Sequence, residues 1–440
     1  MSRGRLLIGF LLALPPWAGA QTDQATRALI EKLLARIDSL ETRVAQLERS
    51  GARVPAPAAP SQAAPTQTAP AQAVHAGHDT APMPDLAPPA YPSLKLAGFS
   101  DFNFSATDLH GPSGGFGTQT LLGAHSGFQE GQFALHLSSA LSPKVNVFGE
   151  ISMTARADAG TGTPAATGFN AEVERLIIRY DLNDYFKLSF GRYHTPINYW
   201  NTAFHRGQWL QTTASRPEMT QFGGGFIPVH FVGTLVEGSV PAGGLNLNYN
   251  AGLGNGRGQV IGRGGDIGDI NNSRAWLVNA FLKPDHPYGL QIGGSVYRDS
   301  INTLTGLAAR EWIHSAHIAW QKETPELIAE FANVTHRPAS GASAFNNATN
   351  SASHSQAFYI QTAYRLPWGK KLWKPYYRFE YIHIPLSDAI FRAVPSFAGS
   401  TAGMRYDISS FAAFKLEYRN YSRRNLPSIN GAFLLTSFTF

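Results

Sequence analysis

The sequence predicts an all-β fold: a sixteen-stranded antiparallel transmembrane β-barrel behind a short N-terminal coiled-coil helix and a Pro/Ala-rich linker. Three observations carry this expectation. From Leu94 onward, segments of about ten residues alternate apolar and polar positions, the period of a strand with lipid on one face and water on the other. The connections between these segments alternate short and long along the chain. After the first twenty residues, no stretch holds the roughly 18 apolar residues that a membrane helix needs.

Composition agrees. Only 15% of the 440 residues are charged, 12% are aromatic and 43 are glycine, which suits curved strands girdled by aromatic rings. There is no cysteine, which excludes disulfides and thiolate chemistry.

At the N-terminus, Arg3 and Arg5 precede the apolar run Leu6 to Leu14 and the small residues Ala18-Gly19-Ala20. Residues 1–20 read as a cleaved signal peptide, with an N-terminal anchor as the alternative. No cysteine follows the site, so a lipoprotein is not expected. Losing Arg3 and Arg5 takes the formal charge from +6 to +4, too small an excess for a nucleic-acid surface.

Residues 21–50 carry a heptad seam, with Ile30, Ile37 and Val44 at a and Leu33, Leu40 and Leu47 at d. Arg36 and Arg43 at g face Glu41 and Glu48 at the following e positions, which favours parallel association. The alternative is one amphipathic helix packed on its own barrel. β-Branched residues at a with leucine at d suit dimers. A large barrel–barrel interface would override so short a coil and set the subunit count, and the homotrimer expected here is what the resemblance given below implies. Residues 51–93 are dominated by Ala and Pro and read as an extended periplasmic spacer. Its His75, His78 and Asp79 read as solvated, and no metal or cofactor is expected.

The barrel, 94–440, divides into strands near 94–106, 128–141, 144–156, 171–182, 185–193, 230–240, 244–253, 274–283, 288–298, 311–321, 326–336, 356–366, 374–384, 401–408, 411–421 and 431–440. In the clearest, Leu245, Leu247, Tyr249, Ala251 and Leu253 oppose Asn246, Asn248 and Asn250. Long loops are expected at 107–127, 157–170, 194–229, 254–273, 299–310, 337–355, 385–400 and 422–430. Short turns belong to the periplasmic side and long loops to the outside, so both barrel ends lie in the periplasm. The alternating strand that ends on Phe440 resembles the signal by which bacterial outer-membrane barrels are recognised for assembly.

Sixteen strands enclose an aqueous channel unless something fills it. The longest loop, 194–229, is the candidate constriction. It holds His194, His205, Arg206, Trp209, Arg216, Glu218 and the run Gly223-Gly224-Gly225. A mix of aromatic and polar residues suits a loop with one side on the wall and the other in the pore. An extracellular cap, or a latch onto a neighbouring protomer, is the alternative. The lumen phase assigns Lys95, Arg156, Arg175, Arg179, Lys187, Arg365, Arg378, Arg405, Lys415 and Arg419 inward, against Asp101, Glu130, Glu150, Glu237, Glu330, Glu380, Asp407 and Glu417. This near balance, with Arg206 and Arg216, predicts a weak anion preference. Arg192 falls in the lipid phase beside Gly191, poised for lipopolysaccharide phosphates unless a bulge turns it inward.

In layout the chain resembles the phosphate-selective porin superfamily, and most of all the trimeric porins with an N-terminal periplasmic coiled coil. The resemblance rests on the coil at 30–47, on Tyr185 to Tyr193 entering the loop through His194-Thr195-Pro196-Ile197, on Tyr199-Trp200-Asn201 through Arg216-Pro217-Glu218, and on Phe440. It implies a Gram-negative outer-membrane channel, in contact with lipid and lipopolysaccharide, for passive diffusion of small anionic or neutral hydrophilic solutes. Phosphate specificity is not carried over, because basic residues here are interleaved with acids. An enzyme is not expected: there is no Gly-x-Ser-x-Gly elbow, His-Glu-x-x-His helix or P-loop. The rival reading is a structural tether whose coil and linker reach toward the cell wall.

Overall fold

The computed structural model describes residues 91–108, 126–155, 169–204, 208–221, 225–339, 352–392 and 394–440. The signal peptide, the heptad segment, the linker up to residue 90, Arg156, His205, Arg206, Gly223 and Gly224 lie outside the described residues.

Sixteen strands close into one antiparallel barrel, each paired with its neighbours in sequence and the last with the first. They are β1 Ser93–Thr107, β2 Gly127–Ala140, β3 Val145–Ala155, β4 Phe169–Asn183, β5 Phe186–His194, β6 His230–Val240, β7 Leu247–Asn255, β8 Ala275–Leu282, β9 Leu290–Asn302, β10 Ala308–Gln321, β11 Glu326–Pro338, β12 Ser353–Ala363, β13 Trp373–His383, β14 Phe397–Asp407, β15 Ala412–Arg423 and β16 Leu426–Thr439. Every expected strand is present. Two expected loops are much shorter, because their polar flanks continue as strand. β9 and β10 are joined by 303–307, and β15 and β16 by Arg424-Asn425 alone. Asn425 holds the left-handed backbone that so tight a hairpin requires (φ 59°). β12 stops at Ala363, so Arg365 lies in the 364–372 turn rather than in a strand.

Alternation decides what each face meets. Along β15, Phe414, Leu416 and Tyr418 are exposed on the outer face, while Lys415, Glu417 and Arg419 are buried inside. Among the described residues, two mid-strand bulges shift this phase, apart from the register slips beside the β4–β5 and β15–β16 turns. In β2, pairing with β1 slips between Ser100 and Phe102. Gly131 stands at the slip because a Cβ there would lie 1.7 Å from Asp101 Oδ1. The slip corrects one expectation: Glu130 pairs with outward-facing Phe102, so it points out of the barrel. In β4, Glu150 pairs with Arg175 and Ile151 with Val173, and the extra residue, Glu174, is turned inward and fully buried.

The barrel seals at its own ends. The Phe440 amide donates to Gly98 O at 3.1 Å, and the Gly98 amide to Phe440 O at 2.9 Å. The Phe440 ring covers Gly98 on the outer face, where a Cβ would sit 2.2 Å from Phe440 Cζ, and it stacks on Phe133 at 5.8 Å.

The apolar core lies inside the barrel rather than between layers. Ile197, Trp200, Phe204, Phe226 and Ile227 of the long loop pack on Phe231, Tyr297, Ile313, Ile328 and Tyr359 of the wall. Ile390 and Phe391, from the β13–β14 loop, join them.

Candidate functional site

The 195–229 loop leaves β5 and returns to β6 within the barrel, and its neck is closed. His194 pairs with His230, and the Thr195 amide donates to Val229 O at 2.9 Å. Asn201 Nδ2 donates to Thr195 O at 2.8 Å and to Val229 O at 3.1 Å, holding the two limbs together.

Beyond the neck comes a single helical turn, α1 (Trp200–Ala203). Its leading amides would be costly if buried without acceptors. Glu330 of β11 supplies one, taking Tyr199 N at 2.8 Å and Trp200 N at 2.5 Å. Trp200 is fully buried, edge-on to Phe204 and Tyr359. At about 25 cal/mol per Å2 over roughly 200 Å2, its burial is worth about 5 kcal/mol as an upper estimate.

The distal limb, 208–221, lies along β13, β14 and β15, held by wall side chains that grip its backbone. Lys415 Nζ donates to the carbonyls of Gln208, Gln211 (2.6 Å) and Thr213 (3.2 Å), engaging all three of its protons. Arg405 Nη1 donates to Trp209 O and Gln211 O, each at 2.9 Å, and its guanidinium lies over the Trp209 ring. Glu417 Oε2 accepts the amides of Ala214 (3.0 Å) and Ser215 (3.2 Å). Glu380 accepts the Glu218 amide at 2.6 Å. Arg378 reaches Thr213 Oγ1, Ser215 O, Ser215 Oγ and Arg216 O, while its Nε pairs with Glu380 at 2.7 Å. A buried charge is expensive unless paired and hydrogen-bonded. Here Arg378, Glu380, Arg405 and Glu417 each find both a counter-charge and loop backbone, while Lys415 is satisfied by loop carbonyls.

The returning limb is fastened separately. Arg257, in the β7–β8 loop, donates to Gly225 O (2.6 Å) and Phe226 O (2.9 Å). It is held by Glu311 at 2.9 Å, behind which His336 bridges Glu311 and Asp388 at 2.9 Å each. Burial works against the Asp388 carboxylate. The hydrogen bond and charge of His336, with Ser355 and the Phe391 amide, prevail and hold it below the ordinary carboxylate range.

The expected site residues therefore divide. Arg216, Glu218, Arg378, Lys415 and Arg419 gather where the loop meets the wall, and Arg419 Nε pairs with Glu417 at 2.6 Å. Arg179 lies low on another part of the wall with Asp181 (2.7 Å) and Glu237 (3.2 Å). Arg365 is at the periplasmic turn with Glu323 and Asp407. Arg175 and His194 meet at Glu150, 2.5 and 3.5 Å away. Arg192 has the outer-face register of Leu176 and Val232, yet its guanidinium folds into the wall. There it meets Asp266 at 2.8 Å, Glu172 at 3.0 Å and the carbonyls of Val173 and Glu174 on the upper edge of β4. One group was not expected: Glu174, His194 and His230 bring three ligand atoms within 4.8 Å of one another. The bulge hides Glu174 from a strict alternation count, and the two histidines meet only because β5 and β6 pair across the loop.

A closed sixteen-strand barrel with its longest loop folded inside defines a class of protein: the fold is that of bacterial outer-membrane porins. Among solved structures, the chain is similar to the anion-selective porin of Comamonas acidovorans (TM-score 0.52, 11% identity, 79% of this chain and 100% of that chain). It is also similar to OmpF of Salmonella typhi (0.51, 12%, 79% and 97%) and to the outer-membrane channel DcaP of Acinetobacter baumannii (0.50, 13%, 79% and 97%). No family model and no curated protein matches the sequence.

Proposed function

We propose that this protein is a porin of the Gram-negative outer membrane, a water-filled channel for passive diffusion of small hydrophilic solutes. One observation carries the reading. The loop inside the barrel is bonded to β9, β11, β13, β14 and β15, so it narrows the lumen from one side. Elsewhere on the wall the lumen phase holds Arg179, Asp181, Glu237, Lys187, Asn250 and Asn279, a polar set suited to water. The constriction is formed between these groups and the side of the loop that faces them.

Ion preference is weak in this reading, because cations and carboxylates alternate along the wall as Arg378–Glu380, Arg405–Asp407, Arg419–Glu417 and Lys374–Glu326. The basic excess left once Arg3 and Arg5 are removed, 34 against 30, leans it toward anions, the selectivity named for the Comamonas porin. The functional unit is a homotrimer, with the heptad segment in the periplasm.

Single-channel recording of the purified full chain in a planar bilayer under a salt gradient tests this. Steps in groups of three with a slightly anion-leaning reversal potential are expected. A cation-over-anion permeability ratio well above one would refute the preference. A silent bilayer containing inserted protein would favour the tether instead.

A further inference from the structure

We propose that Glu174, His194 and His230 form a binding site for a divalent transition-metal cation of the zinc class, set at the root of the 195–229 loop. The donors are right for such an ion: two imidazoles and a carboxylate suit zinc, copper and nickel, whereas calcium and magnesium favour all-oxygen shells. The placement is right as well. His194 and His230 are direct partners across β5 and β6, with ring centroids 5.8 Å apart. The β4 bulge aims Glu174 at them, leaving its Oε2 2.8 Å from His230 Nε2.

Bonds of about 2.0–2.1 Å to a tetrahedral ion put ligand atoms roughly 3.3–3.5 Å apart. Atoms already within 4.8 Å reach that spacing by side-chain adjustments of about 1 Å. Ser152 Oγ donates to the second Glu174 oxygen at 3.0 Å, orienting the carboxylate as the outer partners of metal ligands do. Around the cluster stand Glu150, Glu172, Glu174 and Asp266 against Arg175 and Arg192. Three protein ligands leave a fourth position for water. Because His194 precedes the loop and His230 follows it, a bound ion would tie both loop ends to β4.

The test uses the untagged mature chain carrying His75→Ala and His78→Ala, so that the linker histidines do not compete. The protein is stripped with chelator, titrated with Co2+ followed by visible absorption, and competed with Zn2+. Expected are one ion per chain, an absorption band of tetrahedral type, and a loss of affinity of about tenfold or more in His194→Gln and in His230→Gln. Heat-modifiable gel mobility reports the fold of each variant. Glu174→Gln, isosteric and still able to accept from Ser152, carries the same prediction should a histidine variant misfold. No ion bound by the parent, or unchanged affinity in the folded variants, overturns the proposal.

Discussion

Arg378→Ala separates a loop that is latched to the wall from one that merely rests on it. Arg378 is fully buried and donates to Glu380, Gln361, Thr213 Oγ1, Ser215 Oγ and the carbonyls of Ser215 and Arg216. Truncation strands Glu380 without its counter-ion, which costs about 3–5 kcal/mol for a buried pair. It also orphans two carbonyls, at about 1–3 kcal/mol each if they stay dry. These costs are not additive, and water entering the vacated volume relieves the carbonyls, so about 3–5 kcal/mol is expected in all. The barrel can shed most of it by releasing the distal limb, so the loss falls on the latched state. At 1.4 kcal/mol per tenfold, 3 kcal/mol shifts the latched-to-released ratio roughly a hundredfold. Single-channel recording should show larger, noisier openings, and limited proteolysis should cut within 208–221, while the barrel's heat-modifiability midpoint holds. Unaltered current noise and cleavage pattern would refute the latch. Arg378→Lys should fall between, since an ammonium cannot span acceptors set for a planar fork.

Three further outcomes are expected. The depressed Asp388 carboxylate contributes stability that is fully present above the unfolded value of about 3.9 and is lost as pH falls through its lower folded value. The wild-type stability profile should thus be flat with respect to this group from pH 7 to about 4 and decline below it. Asp388→Asn should lack that step, and an identical acid profile would sink the assignment. Gly131→Ala drives a methyl into Asp101 and should lower the heat-modifiability midpoint, corresponding to about 1–3 kcal/mol; an unshifted midpoint would show that the bulge tolerates a side chain. Deleting residues 21–50 should leave conductance steps grouped in threes if the barrels set the subunit count, whereas single steps would give that role to the coil.

The barrel was legible because its rule is local: a residue's neighbours two places away announce the face it shares, as in Lys415, Glu417 and Arg419. Legibility failed where the count breaks. The slip opposite Ser100 and Phe102 sent Glu130 outside, and the β4 bulge brought Glu174 in. A glycine beside a polar residue in mid-strand, Gly131-Gln132, was the available signal for the first, and nothing comparable marks the second. The inward path of the long loop was suggested by its aromatic content, but its attachment was not. Arg378 and Lys415 looked like charges awaiting a solute, whereas they hold loop carbonyls more than 150 residues away in sequence. No periodicity records a partner that is backbone.

That last point bears on how such a channel can change. The wall reads the loop largely through main-chain carbonyls and amides, at Gln208, Gln211, Thr213, Ala214, Ser215, Arg216 and Glu218. Peptide groups are common to every residue except proline's missing donor. Substitution at the side chains turned toward the water therefore leaves the anchorage intact. The permeation path can drift, one exposed residue at a time, while the frame that positions it stays as it was.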